Sequence, residues 1–469
     1  MLTFFIVIYL LLTLAVGFWA SRRIKLTEDF TLAGRSLPAT VVGVTIFATW
    51  FGPELIMGVP TYFIQEGVQG IIIDQFGNFL CLTLVGLFYA RRLYRMRIVT
   101  INDFFRQRYT PAIETVTSLI NVFTYFSWIA AQFVALALLF KTIIGLPLNW
   151  GIILGATIVV IYTYIGGMWA VSITDLIQTV LIIAGLLFLL IKLLDITGGI
   201  TPVLAATPEG FFRLLPEPGI HNWLDYLNKW MILGIGAIPA QEIYQRILSA
   251  RSEKAGAHGA LISGGMLFVI GAIPLLIALS ISQVYPALLQ DSGGQNMIPN
   301  MVSRYTEMPV QILFFGALIS AILSTSSGAM LAPATVIGEN LIKPRVPGIT
   351  DKQLLLFTRL CVIFVAVIAC TMAYFNSSIH GLVVDSVTLY LVCLVVPFSL
   401  GLFWRKASIA GAWAAMIVGL LVYALCVALE TRIDAAMQGL LASLLAMVAV
   451  SWLRPDTSFA AFQKNQTAA

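Results

Sequence analysis

The sequence predicts an all-α polytopic membrane protein with about 13 transmembrane helices. Of its 469 residues, 59% are hydrophobic and only 10% are charged, whereas soluble domains carry about 25% charged residues. A helix needs about 20 apolar residues to cross a bilayer, and the chain supplies one such stretch after another with short loops between them. This composition excludes a large soluble domain.

The apolar stretches define the predicted spans in chain order. The first is a retained span rather than a signal peptide, because its basic cluster, Arg22 to Lys25, follows the apolar run instead of preceding it. The polar stretch 100–109 is too hydrophilic to cross; we expect a short helix there, with Phe104 and Phe105 at the membrane interface. The predicted spans are 2–20, 38–59, 67–90, 114–143, 148–168, 173–196, 224–248, 258–283, 309–340, 354–375, 379–404, 407–429 and 433–453.

The basic residues predict the orientation of these spans. Most of the 27 Lys and Arg residues fall on alternate loops, which the positive-inside rule assigns to the cytoplasm. The N-terminus is then outside and the C-terminus cytoplasmic, in a cell membrane and most simply a bacterial inner membrane. Because the basic residues are scattered over separate loops, they indicate topology and a lipid bilayer partner rather than nucleic-acid binding.

Helix breakers interrupt two of the predicted spans. Gly52 and Pro53 lie near the middle of 38–59, and Gly236 and Pro239 lie within 224–248. Pro lacks the backbone N–H that continues a helix, and freed backbone groups in a membrane must line a cavity or be buried in protein. The two breaks are five spans apart, so the spans run in opposite senses, which is typical of secondary transporters. The alternative is that Gly and Pro are simply frequent in membrane helices.

A run of four hydroxyl side chains lies deep in span 309–340. Hydroxyl oxygens suit Na⁺, especially beside unwound backbone carbonyls. The alternative is that they bond back to their own helix or join neighbouring helices. The run is Ser324, Thr325, Ser326 and Ser327.

Acidic and aromatic residues near the breaks are candidates for solute contacts. A charge at the bilayer centre costs about 2.5–3.5 kcal/mol on insertion scales, so Glu54 is the best candidate for contacting a cationic group or a proton. Asp74 is a second contact or a structural partner. Trp50 and Trp128 offer aromatic faces for an ammonium group, although packing against lipid or the core is the better explanation of either residue taken alone.

The other acidic residues in the spans have simpler interpretations. Asp175 is expected at the N-terminus of a helix near the inner face, where the helix dipole favours a carboxylate. Glu242 is expected to pair with Arg246 four residues later. Asp385 is left open. The five cysteines lie in apolar runs without metal-ligand spacing, and no nucleophile–base pair is apparent, so an enzyme is not predicted.

Several motifs resemble one family. The run from Gly166 to Gln178, GGMWAVSITDLIQ, is similar to the signature of the sodium:solute symporters, and the resemblance covers nearly the whole chain. Supporting motifs are AGR at Ala33–Arg35, MGVP at Met57–Pro60, QR at Gln245–Arg246 and AILST at Ala321–Thr325.

The resemblance implies a fold and an ion site. The fold is a leucine-transporter-type five-plus-five inverted repeat, with one extra N-terminal and two extra C-terminal helices. It divides a single transporter domain into 1–37, a first repeat 38–196, an inverted repeat 224–404 and the C-terminal part 405–469. It implies a sodium site formed by two backbone carbonyls of the first broken span and by three residues of span 309–340. These residues are Ala48, Phe51, Ala321, Ser324 and Thr325.

Within the family, the chain looks most like the choline-transporter-like branch. ATW at Ala48–Trp50 and the GAIP.Q run that begins at Gly236 carry this likeness. That branch has a tryptophan at the position of Ala240 and a tyrosine at that of Asn78, and this chain offers acidic residues instead. The predicted solute contacts are Trp50, Glu54, Asp74, Asn78, Trp128, Ala240 and Gln241. The predicted gating or structural residues are Gly52, Pro53, Gly236, Pro239 and Asp175.

Together these observations predict a sodium-coupled symporter. It imports a small amine-bearing organic solute (an amino acid, a polyamine or a quaternary ammonium compound) by alternating access. Two alternatives stay open. One is a solute sensor derived from a transporter; the other is a proton-coupled symporter of the same fold that uses Glu54 or Asp385.

Overall fold

The computed structural model describes residues 2–376, 378–456, 458–459 and 462, and only the backbone of residues 14, 290–293 and 385. Across these described parts the regular structure is helical, apart from one isolated bridge between Leu37 and Ala250. Ten helical stretches are long and apolar enough to cross a membrane within the same residues.

The first half of the chain begins with the apolar helix Leu2–Ser21 and a short helix, Thr27–Leu32. The first broken helix follows: it comprises Ala39–Trp50 and residues 54–66. The helical stretch Glu54–Arg95 is divided at Gly67, whose φ of 63° and ψ of −146° end one helix before the next begins. The first broken helix therefore extends beyond the predicted end at residue 59.

Three helices complete this half. Ile101–Arg108 is short and capped by Thr100, which accepts from the backbone N–H of Asp103. Phe104 and Phe105 are fully buried against Phe398 rather than placed at the membrane interface. After it come Pro111–Ile144 and Leu148–Thr197.

The helical stretch Leu148–Thr197 is divided into two helices by a kink at Gly167. Gly167 has φ 50° and ψ −159°, a conformation that is essentially restricted to glycine, and its α-carbon faces the buried ring of Phe30. The division agrees with the predicted spans 148–168 and 173–196.

The second half contains the second broken helix, which comprises Ile220–Gly234 and Gln241–Leu248. Short helices, Ile200–Ala205 and Met297–Tyr305, lie in the loops. The long helices are Glu253–Val284, Met308–Arg345, Asp351–Phe375, Ile379–Phe403, Ile409–Ala428 and Ala435–Leu453. The number of bilayer crossings and the repeat boundaries 38–196 and 224–404 stay predictions.

The helices pack in two groups that place the breaks at the centre. The N-terminal half of the first broken helix packs on Glu253–Ile270, and that of the second packs on Gly77–Leu84. A second group surrounds them, in which Pro111–Ile144, Leu148–Thr197 and Met308–Val336 contact one another. Both broken helices are therefore held by protein, where their free backbone groups can be satisfied.

Candidate functional site

The first break opens the backbone at the positions predicted. Ala39–Trp50 ends at Phe51, whose φ of −86° and ψ of 65° are not helical. Helical structure resumes at Glu54, immediately after Gly52 and Pro53. Pro53 has no N–H to donate. The carbonyl oxygen of Ala48 is left facing the hydroxyl of Thr325, with 3.4 Å between the two oxygens.

The second break covers residues 235–240. The N–H of Gly236 bonds back to the carbonyl of Met231 at 2.9 Å, and tight turns follow until the next helix begins at Gln241. Ala240 is extended, with φ −72° and ψ 125°. Gly236 and Pro239 thus lie inside a true interruption, as the sequence predicts.

The ion junction, defined as Ala48, Phe51, Ala321, Ser324 and Thr325 with Asp175, lies where the first break meets helix Met308–Val336. All six residues have no measurable exposure. Ser324 Oγ donates to Asp175 Oδ1 at 2.5 Å. A hydroxyl has one proton and two lone pairs, so donation to Asp175 leaves both lone pairs of Ser324 available to a cation.

Asp175 does not lie at a helix N-terminus, contrary to expectation. It is in the second part of Leu148–Thr197, beyond the kink at Gly167, and is fully buried. Burial of a carboxylate requires a partner; Ser324 bonds to Oδ1, whereas Oδ2 has no hydrogen-bond partner. The sequence interpretation is wrong because it starts the helix at residue 173. In the structure the helix already begins directly after Gly167, so Asp175 lies well inside it.

The rest of the hydroxyl run behaves as the alternative interpretation expects. Ser326 donates to the carbonyl of Ile322 at 2.5 Å, and Ser327 donates to that of Ser324 at 3.0 Å. These two hydroxyls satisfy their own helix, and only Ser324 and Thr325 reach other helices.

A cavity lies between the two breaks, and six of the seven predicted solute contacts line it: Trp50, Glu54, Asp74, Asn78, Trp128 and Ala240. Gln241 does not. Its side-chain oxygen accepts from the backbone N–H of Ile101 at 2.7 Å, so it anchors the short helix Ile101–Arg108 instead. The cavity is also lined by Thr124, Tyr125, Leu233, Ala237, Glu242, Val383, Ser386, Val387 and Tyr390.

Glu242 is the polar centre of this cavity. Its carboxylate accepts from Trp50 Nε1 at 2.8 Å and from the Tyr125 hydroxyl. The expected side-chain pair with Arg246 is wrong: Arg246 donates to the backbone carbonyls of Glu242 and Thr45, at 3.1 and 3.2 Å. Sequence spacing predicts the pair, but the Glu242 side chain finds its partners on other helices, and Arg246 bonds to backbone carbonyls instead of to that carboxylate.

His380 was not predicted and lies beside Asp74. His380 Nδ1 is 3.7 Å from Asp74 Oδ2, and the ring of Tyr62 is 4.4 Å from the imidazole ring. The three residues come from three separate helical segments, so no local pattern could have found them. Asp74 is therefore both a cavity residue and the neighbour of a titratable side chain.

The described charged side chains that line the cavity are all acidic. Glu54, Asp74 and Glu242 contribute three carboxylates, and no Lys or Arg is found among its described lining residues. Several aromatic side chains share the same wall. Buried charges require compensation, and aromatic faces attract ammonium groups. The arrangement suits a cationic solute.

Known proteins resemble this chain along most of its length. The model of the sodium:solute symporter family matches residues 30–419. The high-affinity choline transporter 1 of Caenorhabditis elegans is 27% identical over 88% of this chain and 76% of its own length. The osmoregulated proline transporter of Bacillus subtilis (strain 168) is 26% identical over 88% and 86%.

A solved structure shares the fold. The outward-open, substrate-bound state of a Na⁺-coupled sialic acid symporter superposes with a TM-score of 0.84 and 18% identity, over 97% of this chain and 98% of that one. The leucine-transporter-type fold class predicted from the sequence is thereby confirmed.

Proposed function

The chain belongs to the sodium:solute symporter family, and from that premise we propose that its solute is a small organic molecule bearing an amine. Membership makes it a multi-pass membrane protein that couples solute transport to sodium. The finer identity of the solute rests on the cavity. We place the N-terminus outside and the C-terminus in the cytoplasm of a cell, most simply bacterial, membrane.

The observation that carries the proposal is the charge of the cavity. Three buried carboxylates face one space without a basic lining residue among those described. A neutral sugar would leave these charges uncompensated, whereas an ammonium group pairs with them and also stacks on Trp50 or Trp128.

The names of the relatives agree with this chemistry. Choline carries a quaternary ammonium group and proline a secondary amine, and transporters named for each resemble the chain. Ala240 and Asn78 line the cavity here and are smaller than the aromatic residues expected from the choline-transporter-like branch. The wall therefore has two small side chains in place of aromatic ones, and it carries three carboxylates.

Sodium is the second cargo, and the ion junction is its proposed site. The hydroxyls of Ser324 and Thr325 and the carbonyls of Ala48, Phe51 and Ala321 are hard oxygen donors of the kind that sodium prefers. Thr325 and Ala48 already lie in contact across two helices. An ion there joins the first broken helix to helix Met308–Val336, which favours one conformation over the other.

Coupling then follows from differential affinity. An ion that binds two conformations equally shifts neither. We propose that sodium favours the outward-open form, that the solute then binds between the two breaks, and that the joint complex favours rocking of one helix group against the other. Gly52, Pro53, Gly236 and Pro239 are the interrupted positions that let each broken helix contribute to this movement.

The direct test is uptake by the purified protein in liposomes. Labelled choline, proline and 1-aminobutane are offered with an inward sodium gradient, alongside labelled glucose. We expect uptake of at least one amine, driven by sodium and lost when potassium replaces it. Sodium-driven uptake of glucose that amines do not inhibit would contradict the proposal.

The same vesicles separate the alternatives. A sensor would bind solute without accumulating it. A proton-coupled symporter would respond to an imposed pH gradient without sodium, through Glu54 or Asp385. Glu54 lines the cavity, whereas the side chain of Asp385 lies outside the described parts of the structure.

A further inference from the structure

Two of the cavity carboxylates have free oxygens. Glu54 and Asp74 are 5% and 1% exposed, and Glu54 Oε2 and Asp74 Oδ2 are buried without a hydrogen-bond partner. Both side chains line the cavity. Asp74 Oδ2 lies 3.7 Å from His380 Nδ1, which is beyond hydrogen-bond distance. Buried polar atoms are almost always paired, so two acidic side chains of one cavity with unpaired oxygens indicate a ligand that supplies donors there.

Glu242 differs from these two. Its oxygens accept from Trp50 Nε1 and the Tyr125 hydroxyl, and both donors are neutral. Neutral donors stabilise a carboxylate without cancelling its charge. Trp50 and Tyr125 turn their polar edges to Glu242, and the ring of Trp128 lies 6.0 Å from that of Tyr125. The three rings line the same cavity as Glu242, so this end attracts a cation through the rings and the charge together.

A single ammonium group does not balance this cavity. It can pair at the Glu54 and Asp74 end or at the Glu242 end, and the other end stays uncompensated. His380 faces Asp74 at 3.7 Å, together with Tyr62, but it contributes a positive charge only when protonated. A second cationic group on the same solute balances both ends at once.

We propose that the cavity binds a solute with two cationic groups, an aliphatic diamine or polyamine. One ammonium donates to the free oxygens of Glu54 and Asp74, and the other lies against the aromatic wall beside Glu242. This inference rests on the proposed function and narrows its solute class. The aliphatic chain between the ammonium groups packs against Leu233, Ala237 and Val387, which line the same cavity.

The first test compares matched probes on the unaltered protein in sodium. The probes are 1-aminobutane and the diamines from 1,3-diaminopropane to 1,6-diaminohexane, and the readouts are dissociation constants and uptake. We expect the best diamine to bind about tenfold tighter than 1-aminobutane, because a second charge-assisted hydrogen bond adds at least that much. We also expect an optimum chain length.

The second test uses Glu54→Gln and Asp74→Asn. Each should weaken diamine binding more than 1-aminobutane binding, so that the preference ratio falls towards one. Glu66→Gln is the matched control: Glu66 is on the same helical stretch but pairs with Lys229 at 2.8 Å outside the cavity, and its ratio should not change.

The outcomes are distinguishable. Equal binding of 1-aminobutane and every diamine overturns this inference, and amine uptake in the same experiment leaves the proposed function standing. A preference for diamines over 1-aminobutane that is unchanged in both variants also overturns it.

If the substitutions change only the sodium or pH dependence, the two carboxylates serve an ion rather than the solute, and the inference is overturned. If no amine binds or is taken up, the proposed function fails as well. If a variant does not fold, the comparison of 1-aminobutane with the diamines on the unaltered protein still tests the inference.

Discussion

The ion junction and the cavity lie close together but are built differently. In the ion junction, the hydroxyls already have partners: Ser324 bonds to Asp175 and Thr325 to the Ala48 carbonyl. Asp175 keeps one oxygen, Oδ2, without a hydrogen-bond partner. In the cavity, the carboxylate of Glu242 is partnered, whereas Glu54 Oε2 and Asp74 Oδ2 have no hydrogen-bond partner. The junction combines neutral oxygen donors of two helices with one carboxylate, Asp175, of a third, and the cavity is lined by three carboxylates on several helices.

This difference indicates how the two cargoes are separated. Neutral oxygens with one nearby carboxylate suit a small monovalent ion, and a cavity with three carboxylates and aromatic walls suits an organic cation. Substitutions in one region should therefore change one cargo much more than the other. The predictions below test that separation, beginning with the largest effect.

The largest effect is expected from Ser324→Ala combined with Thr325→Ala. Removing two ligand oxygens should raise the sodium concentration for half-maximal uptake about 100-fold, since each lost contact costs about 1–1.5 kcal/mol. Uptake measured against sodium concentration checks this. Ser326→Ala is the control, because that hydroxyl bonds only within its own helix. Unchanged sodium dependence in the double variant would exclude the proposed ion site.

Glu242→Gln should affect the solute instead. The amide keeps an acceptor for Trp50 but loses the charge, and an interaction with a charged group is worth about 1.5–3 kcal/mol. We expect amine affinity to fall about 20-fold while the sodium requirement changes less than about twofold. Glu339→Gln provides the control, because its ion pair with Lys343 lies away from the cavity. A shift in sodium dependence as large as that in amine affinity would show that the regions are not separate.

Asp175→Asn should have an intermediate effect. The amide oxygen still accepts from Ser324 and preserves its orientation, so only the charge near the ion is lost. We expect sodium affinity to fall about fivefold with amine affinity in saturating sodium unchanged. Titration of sodium binding to the purified protein measures it. An improvement in sodium affinity would mean that Asp175 acts on a group other than the ion.

Gln241→Ala should have the smallest effect. It removes the bond to the Ile101 N–H and loosens the short helix Ile101–Arg108, a buried contact worth about 1–2 kcal/mol of stability. We expect a lower unfolding temperature and a two- to threefold slower uptake, about what a loosened support produces, with both affinities kept. A loss of amine affinity comparable to that of Glu242→Gln would restore Gln241 as a solute contact.

The sequence predicts the helix breaks and the fold class but not the side-chain partners within the site. The breaks at Gly52–Pro53 and Gly236–Pro239 were found because Pro and Gly interrupt a helix by local chemistry alone, and the fold class followed from composition and motifs. The structure places Ser324 and Thr325 against Asp175 and Ala48. Whether these residues bind sodium stays a prediction.

The side-chain partners could not be predicted in the same way. Glu242 was assigned to Arg246 because helix spacing is the only geometry that a sequence displays, yet tertiary packing gives it Tyr125 and Trp50 instead. His380 and Asp74 lie far apart in the chain and meet only through the fold. Gln241 follows the second break directly, but its side chain points to Ile101.

The central claim is that one protein binds sodium and an amine at two linked sites. The most direct measurement is the dissociation constant of the amine at a series of sodium concentrations, together with that of sodium at a series of amine concentrations. Linkage requires both factors to be equal. We predict that sodium tightens amine binding, that amine tightens sodium binding by the same factor, and that Ser324→Ala with Thr325→Ala removes both effects. Amine binding that is identical in sodium and potassium would contradict the account.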